Sequence, residues 1–361
     1  MSINVTKTFL PPKEEYQAYL DKIWESGWIT NNGQLVRQLE DELRQRLGIP
    51  NLLFVSNGTI AIQLAIKALG LSGEIITTPY SYCATATSIV WENCKPVFVD
   101  INEHDLNINP DLIEAKISDK TSAILATHVY GNPCDVAKIA KIAEKHKIPV
   151  IYDAAHAFDA ILNGKSLLSY GDMATCSFHA TKVFHTVEGG SVSCNDPALI
   201  EKLSLYRSFG HINDDYYSVG INGKNSEFHA AMGLANLPHV QTNIAGRKEV
   251  SEAYDTLLNF DKLFRPFTKE QDFVYNYAYY PVVLESPEIT NEVINALKEH
   301  GISPRRYFYP SLNTLSYMGS VDSCPVSESV VQRVLSLPLY PDLNREDVSR
   351  ISNIINQTLD R

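Results

Sequence analysis

The sequence is poor in cysteine and contains no long hydrophobic run. Its 361 residues include six cysteines, and none of them forms a C-x-x-C pair. Scattered cysteines indicate reduced thiols and argue against a disulfide framework or a metal site. No stretch approaches the length of a membrane span, and residues 1–4 do not open a charged-then-apolar leader. We therefore expect a cytoplasmic protein with no membrane partner. The cysteines are Cys83, Cys94, Cys134, Cys176, Cys194 and Cys324.

Runs of lysine or arginine are also absent. The formal net charge is −11 at pH 7, which argues against nucleic acid as a partner. Hydrophobic residues make up 44% of the chain and charged residues 20%, which is ordinary for a globular protein. With 361 residues, the chain is long enough to form a large and a small domain, each with its own core.

Short apolar segments alternate with helical patterns through the first part of the chain. This alternation predicts an α/β fold with a mostly parallel sheet that helices cover on both faces. Open sheets of this type bind ligands beyond the carboxyl ends of their strands. We predict strands near residues 52–55, 74–77, 96–99, 122–127, 149–152, 175–178 and 191–193, and helices near residues 36–47, 111–117 and 135–146.

From about residue 245 the pattern is that of a second, smaller α/β domain. A strand pattern occupies residues 277–284, and helical patterns occupy residues 247–258, 292–300 and 347–359. We therefore predict a large domain formed by residues 1–244 and a small C-terminal domain formed by residues 245–361.

Lys182 is the most informative residue, because it closes a polar segment that follows a predicted strand. Asp153 ends an earlier apolar strand. A pyridoxal phosphate site needs both groups, since a lysine amine forms a Schiff base with the cofactor aldehyde and an acid faces the pyridine nitrogen. Lysine also suits proton transfer, because its amine gives up its charge readily when desolvated. Taken singly, each residue has a plain alternative, as a surface lysine or as a helix-capping aspartate.

A third segment offers a place for the cofactor phosphate. Residues 54–61 run from a short apolar strand through Gly58 and Thr59 into a helical pattern. Such a turn presents unpaired backbone N–H groups and the positive end of the helix dipole, which together bind phosphate. Many helices begin in this way for capping reasons alone. With Lys182 and Asp153, however, the turn completes the set of groups that the cofactor requires.

Several motifs in the same order resemble the DegT/DnrJ/EryC1/StrS family of pyridoxal-phosphate-dependent sugar aminotransferases, over nearly the whole chain. The resemblance implies the α/β fold of a fold type I aminotransferase, with a large domain and a smaller C-terminal domain. The motifs are GWITNNG at 27–33, NGTIA at 57–61, PYSYCATA at 79–86, DAAHA at 153–157, SFHATK at 177–182 and GINGKNSE at 220–227.

The resemblance also assigns cofactor contacts to residues of this sequence. It implies that Asp153 pairs with the ring nitrogen and that Lys182 holds the aldehyde carbon. Tyr82 is expected to lie flat on the pyridine ring, where aromatic stacking adds to simple burial, and His156 is expected to lie beside that ring. The residues expected around the phosphate are Gly58, Thr59, Ile60 and Ser177.

A contact between subunits is implied as well. In the family, the segment around Asn222 reaches across a dimer interface to the neighbouring subunit's phosphate, so the resemblance implies a homodimer with shared active sites. Lys224 departs from the family pattern, because arginine is usual at its position. A lysine there cannot make the bidentate contact of a guanidinium.

The resemblance further implies transamination between L-glutamate and a keto sugar carried on a nucleoside diphosphate, with Lys182 moving the proton in both half-reactions. Arg305 is a candidate for the diphosphate or the donor carboxylate, because a guanidinium matches either group; a solvated loop arginine is the alternative. The other candidates for substrate contact are His179 and His185, which flank Lys182, and Tyr309 in the segment that closes over substrate.

The segment 185–190 resembles that of members that aminate carbon 4 of a 6-deoxy sugar. The favoured acceptor is therefore dTDP-4-keto-6-deoxyglucose, which gives dTDP-4-amino-4,6-dideoxyglucose in deoxysugar biosynthesis of the O-antigen lipopolysaccharide type; amination at carbon 3 is the alternative. Members with histidine at the lysine position are dehydratases, and Lys182 argues against that activity. A non-catalytic, cofactor-binding regulator is expected to lose Lys182 or Asp153, and this chain keeps both.

Overall fold

The computed structural model describes residues 2–268, 272–320 and 322–361. The first half of the chain alternates strands with helices, and the remainder adds a second group of both. The helices are α1 (Lys13–Ser26), α2 (Gln34–Leu47), α3 (Gly58–Ala68), α4 (Cys83–Trp91), α5 (Val136–His146), α6 (Pro197–Arg207), α7 (Glu227–Asn236), α8 (Val240–Leu257), α9 (Pro287–Glu299), α10 (Pro325–Arg333) and α11 (Arg345–Leu359).

Most strands are short, and the longest lie in the central sheet. The strands are β1 (Ile3–Asn4), β2 (Asn51–Val55), β3 (Glu74–Thr77), β4 (Lys95–Phe98), β5 (Thr121–Thr127), β6 (Val150–Asp153), β7 (Ile161–Leu162), β8 (Lys165–Ser166), β9 (Met173–Ser177), β10 (Gly190–Cys194), β11 (His211–Ile212), β12 (Asp215–Tyr216), β13 (Leu263–Phe264), β14 (Phe273–Val274), β15 (Tyr280–Leu284), β16 (Ile302–Ser303) and β17 (Val334–Leu337).

The central sheet has seven strands in the order β2-β10-β9-β6-β5-β3-β4. Strand β10 is antiparallel to both of its neighbours, and the other pairs are parallel. The predicted α/β fold with a mostly parallel sheet is therefore confirmed. Strands β6 and β9 are parallel neighbours that end at Asp153 and Ser177. Their carboxyl ends meet at one edge of the sheet, which brings the segments that follow them together.

Helices cover both faces of this sheet. Successive residues of a strand point to opposite sides, so each face has apolar side chains that pack against helices. Leu52 and Phe54 of β2 pack with α2, α5 and α7 in one apolar cluster. Leu53 and Val55 pack with α3 and α6 in another. Each fully buried side chain of this size contributes about 1.5–3 kcal/mol, so burial on both faces explains why β2 is apolar at every position after Asn51.

A separate core lies in the C-terminal part of the chain. Side chains of α8, α9 and α11 pack there against β15 and β17, which pair antiparallel. Ile3 belongs to the same core, since β1 pairs with β16. Helix α8 crosses the predicted boundary at 244/245 without a break, with Val240 in the first core and Val250 in the second. We propose a domain boundary inside α8, with the Ile3 segment added to the small domain.

One predicted helix has a different form. Residues 111–117 form two short 3-10 turns, Pro110–Leu112 and Glu114–Lys116, instead of an α-helix. Pro110 and Ile113 are buried there, while most of the remaining side chains are exposed. A segment with so few buried positions has no continuous apolar stripe to hold a longer helix against the sheet.

Three observations concern thiols, metals and membranes. All six cysteines lie in the described ranges and are free thiols. The same ranges contain no group of three or more histidine, cysteine or acidic side chains arranged to hold a metal ion. Within residues 2–268, 272–320 and 322–361, no helix has both the length and the apolar character needed to cross a membrane.

A buried ion pair fastens two helices to the sheet. The Nη1 atom of Arg207 in α6 lies 2.6 Å from Oε1 of Glu40 in α2, and the two side chains are 4% and 9% exposed. Both partners also bond to Phe54 of β2: Glu40 accepts its backbone N–H at 2.8 Å, and Arg207 donates to its carbonyl at 2.8 Å. The pair therefore joins α2, α6 and β2 at one point.

Replacing Glu40 with alanine should lower the free energy of unfolding by about 3–5 kcal/mol, because the Arg207 guanidinium is left buried without its partner. The matched control is Glu252→Ala, which breaks an exposed pair with Lys248 and should cost less than about 1 kcal/mol. Urea unfolding followed by circular dichroism measures both variants. Similar losses in the two would contradict the assigned role of the buried pair.

Candidate active site

A cavity of about 400 Å³ opens where the carboxyl ends of β6 and β9 meet. One side comes from the start of α3, the loop before α4 and the segments after β6 and β9. The other side comes from Tyr279 and from residues of the segment 305–308. The cavity thus brings together most of the residues that the sequence predicts for the site. Those that line it are Gly58, Thr59, Tyr82, Asp153, His156, Ser177, His179, Lys182 and Arg305.

Lys182 lies in the turn that follows β9. Its backbone N–H donates to the carbonyl of His179 at 2.9 Å, which closes the turn. Its side chain lines the cavity, and Nζ donates to the phenol oxygen of Tyr279 at 3.3 Å. An amine in this position can bond to a carbonyl carbon or move a proton inside the cavity.

Asp153 ends β6 at the cavity and is only 5% exposed. The Thr85 hydroxyl donates to Oδ2 at 2.6 Å, and the Ala155 N–H donates to Oδ1 at 3.1 Å. Burial raises the pKa of this carboxyl; the two hydrogen bonds oppose that shift, and the charge of Lys182 opposes it least. A buried carboxyl in this setting favours a cationic group placed beside it.

The turn at the start of α3 has the form of an anion site. Asn57 caps the helix, and its side-chain oxygen accepts the N–H of Ile60 at 2.9 Å. This N–H is therefore engaged in the cap, and the predicted contact of Ile60 with a phosphate stays a prediction. Gly58 and Thr59 lie in the first turn, where N–H groups have no intrahelical partner. A β-carbon built at Gly58 would stand 3.1 Å from that of Ser177, so glycine keeps this space open.

Two rings line the cavity in different ways. Tyr82 is 58% exposed, so one face of its ring is free to cover a planar ligand. His156 is buried, with Nδ1 accepting the N–H of Tyr130 at 3.2 Å and its ring stacked on Phe308 at a centroid distance of 5.5 Å. Burial lowers the pKa of His156, and the charge of Lys182 lowers it further. The ring is therefore neutral, with its proton on Nε2.

Charged groups of both signs stand around the cavity. Nε2 of His179 lies 3.7 Å from Oε1 of Glu188, and both side chains are about half exposed. The Arg305 guanidinium lies 5.2 Å from the ring centroid of Tyr307 on the opposite side. His179 and Arg305 are thus placed where the sequence predicts contact with substrate, and Glu188 and Tyr307 are further wall residues.

His185 does not line the cavity, although the sequence predicts it there. Its ring is 2% exposed, and Nε2 lies 2.6 Å from the carbonyl oxygen of Phe9. Nδ1 accepts the N–H of Val187 at 3.2 Å. Both ring nitrogens therefore hold backbone groups, so His185 secures the N-terminal segment and is not placed to meet a sugar.

Tyr309 is also displaced from its predicted position. Its side chain is 50% exposed, and the Arg306 guanidinium lies 5.3 Å from its ring centroid. Tyr307 and Phe308, its neighbours in the same segment, line the cavity instead. The segment predicted to close over substrate thus lines the cavity through aromatic rings that come before Tyr309, and closure over substrate stays a prediction.

Asn222 lies on the surface and does not line the cavity of its own chain. Its backbone forms an isolated bridge with Ser208, and Nζ of the nearby Lys224 lies 4.3 Å from the ring centroid of Phe209. The predicted contact of Asn222 with the phosphate of a partner subunit stays a prediction.

Motif comparison missed three aromatic wall residues, Tyr279, Tyr307 and Phe308. The available signal was a high density of aromatic residues in the segments 275–280 and 307–309. That density does not say which rings face a ligand, because the same segments also supply the surrounding core: Tyr275 and Tyr280, for example, are buried.

Comparison with known proteins was consistent across sequence and structure. A family model described as the DegT/DnrJ/EryC1/StrS aminotransferase family matches residues 12–356. The chain is 41% identical to a dTDP-4-amino-4,6-dideoxy-D-glucose transaminase of Shigella dysenteriae and 38% identical to one of Escherichia coli, with 98% of each chain covered in both cases. A crystal structure of DesI in the presence of its TDP-sugar product matches with a TM-score of 0.94 at 29% identity, covering 100% of this chain and 93% of that one. This chain is therefore an aminotransferase and belongs to the DegT/DnrJ/EryC1/StrS family.

Proposed function

We propose that this aminotransferase uses pyridoxal phosphate to move the amino group of L-glutamate to a keto sugar carried on a nucleoside diphosphate. The favoured acceptor is dTDP-4-keto-6-deoxyglucose, and the product is dTDP-4-amino-4,6-dideoxyglucose. The observation that carries the proposal is the single cavity in which Lys182 and Asp153 face the same space beside the Gly58 turn.

The chemistry of the lining residues fits pyridoxal phosphate. An amine is available for the aldehyde, a buried acid for the pyridine nitrogen, an exposed aromatic face for the ring and a helix start for the phosphate. When bound, the cofactor accepts electron density from the reacting carbon of the substrate. The residues that would hold it are Gly58, Thr59, Tyr82, Asp153, His156, Ser177 and Lys182.

Lys182 and Asp153 have separate tasks in this proposal. Nζ of Lys182 removes the proton from the α-carbon of glutamate in the first half-reaction, and in the second it delivers a proton to the sugar carbon that gains nitrogen. The carboxylate of Asp153 holds a positive charge at the end of the cavity, where burial makes that pairing favourable. Tyr307 and Phe308 exclude water from one side.

Arg305 is the proposed anchor for anionic parts of the substrates. Its guanidinium lies at the cavity wall beside the Tyr307 ring. Both the glutamate carboxylates and the diphosphate of the acceptor need a cation, and a planar guanidinium can bind either group through two parallel hydrogen bonds. Glu188, next to His179, makes the opposite wall less suitable for an anion.

The choice of acceptor rests on relatives. Those with 41% and 38% identity are transaminases of dTDP-4-amino-4,6-dideoxy-D-glucose, which supports amination at carbon 4. A GDP-perosamine synthase of Escherichia coli O157:H7 is 30% identical, so GDP sugars belong among the acceptors to be tested. Amination at carbon 3 stays the alternative, and O-antigen biosynthesis is the proposed setting.

We also propose a cytoplasmic homodimer in which Asn222 of each subunit serves the other subunit's site. Large apolar side chains on the surface support association, including Trp24 at 72% exposure and Tyr216 at 77%. Apolar side chains of this size mark an interaction surface where they lie together in one patch. Sedimentation of the purified protein tests the dimer, and a monomer with full activity would exclude shared sites.

The direct test incubates purified protein, pyridoxal phosphate and L-glutamate with nucleotide-linked 4-keto and 3-keto sugars, and identifies the products by mass spectrometry and NMR. We expect the 4-amino product from the dTDP-linked 4-keto-6-deoxy sugar. Amination at carbon 3 only would select the alternative.

A non-catalytic function has one specific observation in its favour, since a pleiotropic regulatory protein of Geobacillus stearothermophilus is 32% identical. Glutamate should bleach the visible absorption of the cofactor-loaded protein if the chain is a transaminase. An absorption band that forms but does not respond to glutamate or other amino donors would favour a regulator.

A further inference from the structure

We propose that Tyr279 is a positioning residue for Lys182, whose phenol oxygen holds the ε-amine in the orientation needed for proton transfer. The proposal rests on the proposed function, because it concerns the base of the same reaction. Tyr279 belongs to none of the motifs that identify the family in this sequence, and it lies 97 residues from Lys182 along the chain.

The contact is direct. Nζ of Lys182 donates to the Tyr279 phenol oxygen at 3.3 Å, and the same Nζ lies 5.8 Å from the centre of the Tyr279 ring. Tyr279 is 8% exposed and lines the cavity, so its hydroxyl faces the cavity while the rest of the residue is packed. The contact is partly buried, which makes the hydrogen bond more stable than one on the open surface.

The surrounding structure fixes the ring of Tyr279. Its centroid lies 4.9 Å from that of His156, 5.5 Å from that of Tyr307 and 5.7 Å from that of Tyr130. Its carbonyl accepts the hydroxyl of Tyr275 at 3.0 Å. Rings on three sides and a held backbone leave the phenol few alternative positions, so the hydroxyl is in place before any ligand arrives.

This geometry has a consequence for proton transfer. A long lysine side chain samples many rotamers when it is free, and each misdirected rotamer is unproductive. An amine that donates one N–H to Tyr279 is held at a single point, and its lone pair stays available for the substrate proton. The proton then moves from the substrate carbon to Nζ of Lys182, and the phenol neither gains nor loses one.

The test is Tyr279→Phe, which removes the hydroxyl and keeps the ring. In the cofactor-loaded enzyme we expect the rate of the glutamate half-reaction to fall about fivefold, the effect of losing one ordinary hydrogen bond. The primary isotope effect with α-deuterated glutamate should rise, because proton transfer limits the rate more strongly. The KM for glutamate should stay within about twofold, since the hydroxyl orients the base and does not bind the substrate.

A second measurement uses the cofactor-free protein. Acetic anhydride should label Lys182 faster in Tyr279→Phe than in the unmodified sequence, because the amine is no longer engaged. The exposed Lys67 in the same sample is the internal reference. Peptide mass spectrometry gives both rates, and the result does not depend on turnover or on the identity of the sugar.

The matched control is Tyr254→Phe. Tyr254 is fully buried in the second core, and among the residues that the structure describes its hydroxyl has no hydrogen-bond partner. The Tyr254→Phe substitution should leave the isotope effect and the labelling rate of Lys182 unchanged. An isotope effect and labelling rate in Tyr279→Phe equal to those of the control would overturn the proposal. A failure to aminate any keto sugar would count against the proposed function alone, because the labelling and the glutamate half-reaction need no sugar.

Discussion

Replacing Lys182 with alanine should lower the rate of transamination by roughly 10⁴-fold, the upper end of what a positioned acid–base group contributes. The loss is expected to be large because, in the proposed mechanism, one amine both anchors the cofactor and moves the proton, and alanine can do neither. Single-turnover kinetics with glutamate measure the loss of rate. The visible absorption of the cofactor-loaded protein shows whether the cofactor is still bonded to the protein.

Two further variants separate chemistry from structure. Lys182→Arg keeps a positive charge in the cavity, but a guanidinium does not give up its proton at neutral pH, so this variant should be as inactive as Lys182→Ala. Lys67→Ala removes an exposed lysine from the last turn of α3 and should leave the rate unchanged. Normal turnover by Lys182→Ala would refute the role of Lys182 as the base.

The second large effect is expected for Asp153→Asn, which should lower the transamination rate by about 10²–10³-fold, as removal of a buried group that stabilises charge does in other enzymes. Asparagine preserves the size of the side chain, and its carbonyl oxygen can still accept the N–H of Ala155. Its amide N–H can donate a hydrogen bond to the Thr85 hydroxyl oxygen. What it lacks is the negative charge that holds a protonated pyridine nitrogen.

The measurement is the rate of each half-reaction together with the melting temperature of the cofactor-free protein. We expect the cofactor-free Asp153→Asn protein to be at least as stable as the unmodified one, because burial raises the pKa of Asp153 and a neutral amide avoids that cost. Thr85→Val is the control that removes the hydrogen bond to Asp153, and it should lower the rate of the half-reactions about fivefold. If the Asp153→Asn protein reacted as fast as the unmodified protein, Asp153 would have no role in the reaction.

The parts of the site that follow from local sequence were predictable. Asp153 stands at the end of an apolar strand and Gly58 at the start of a helical pattern, so both fall at the carboxyl edge of a parallel sheet in any arrangement of its strands. Short-range patterns fix these positions, and the fold class follows from the same alternation of strands and helices.

The residues that sequence analysis misplaced depend on turns and on packing between distant segments. His185 lies close to Lys182 in sequence, but the chain bends between them, and the imidazole bonds to Phe9. Tyr279 lies 97 residues from Lys182 along the chain, and it reaches Nζ because it packs in a cluster with Tyr130 and Phe308. Neither the contact of His185 nor that of Tyr279 produces a periodic pattern in the sequence.

The pairing of β1 with β16 has a mechanical consequence. The first residues of the sequence join the second core before α1 begins: β1 pairs with β16, and the carbonyl of Val5 accepts the N–H of Leu339. The N-terminal segment therefore ties the start of α1 to the second core, so the two cores are linked at the beginning of the chain as well as through α8.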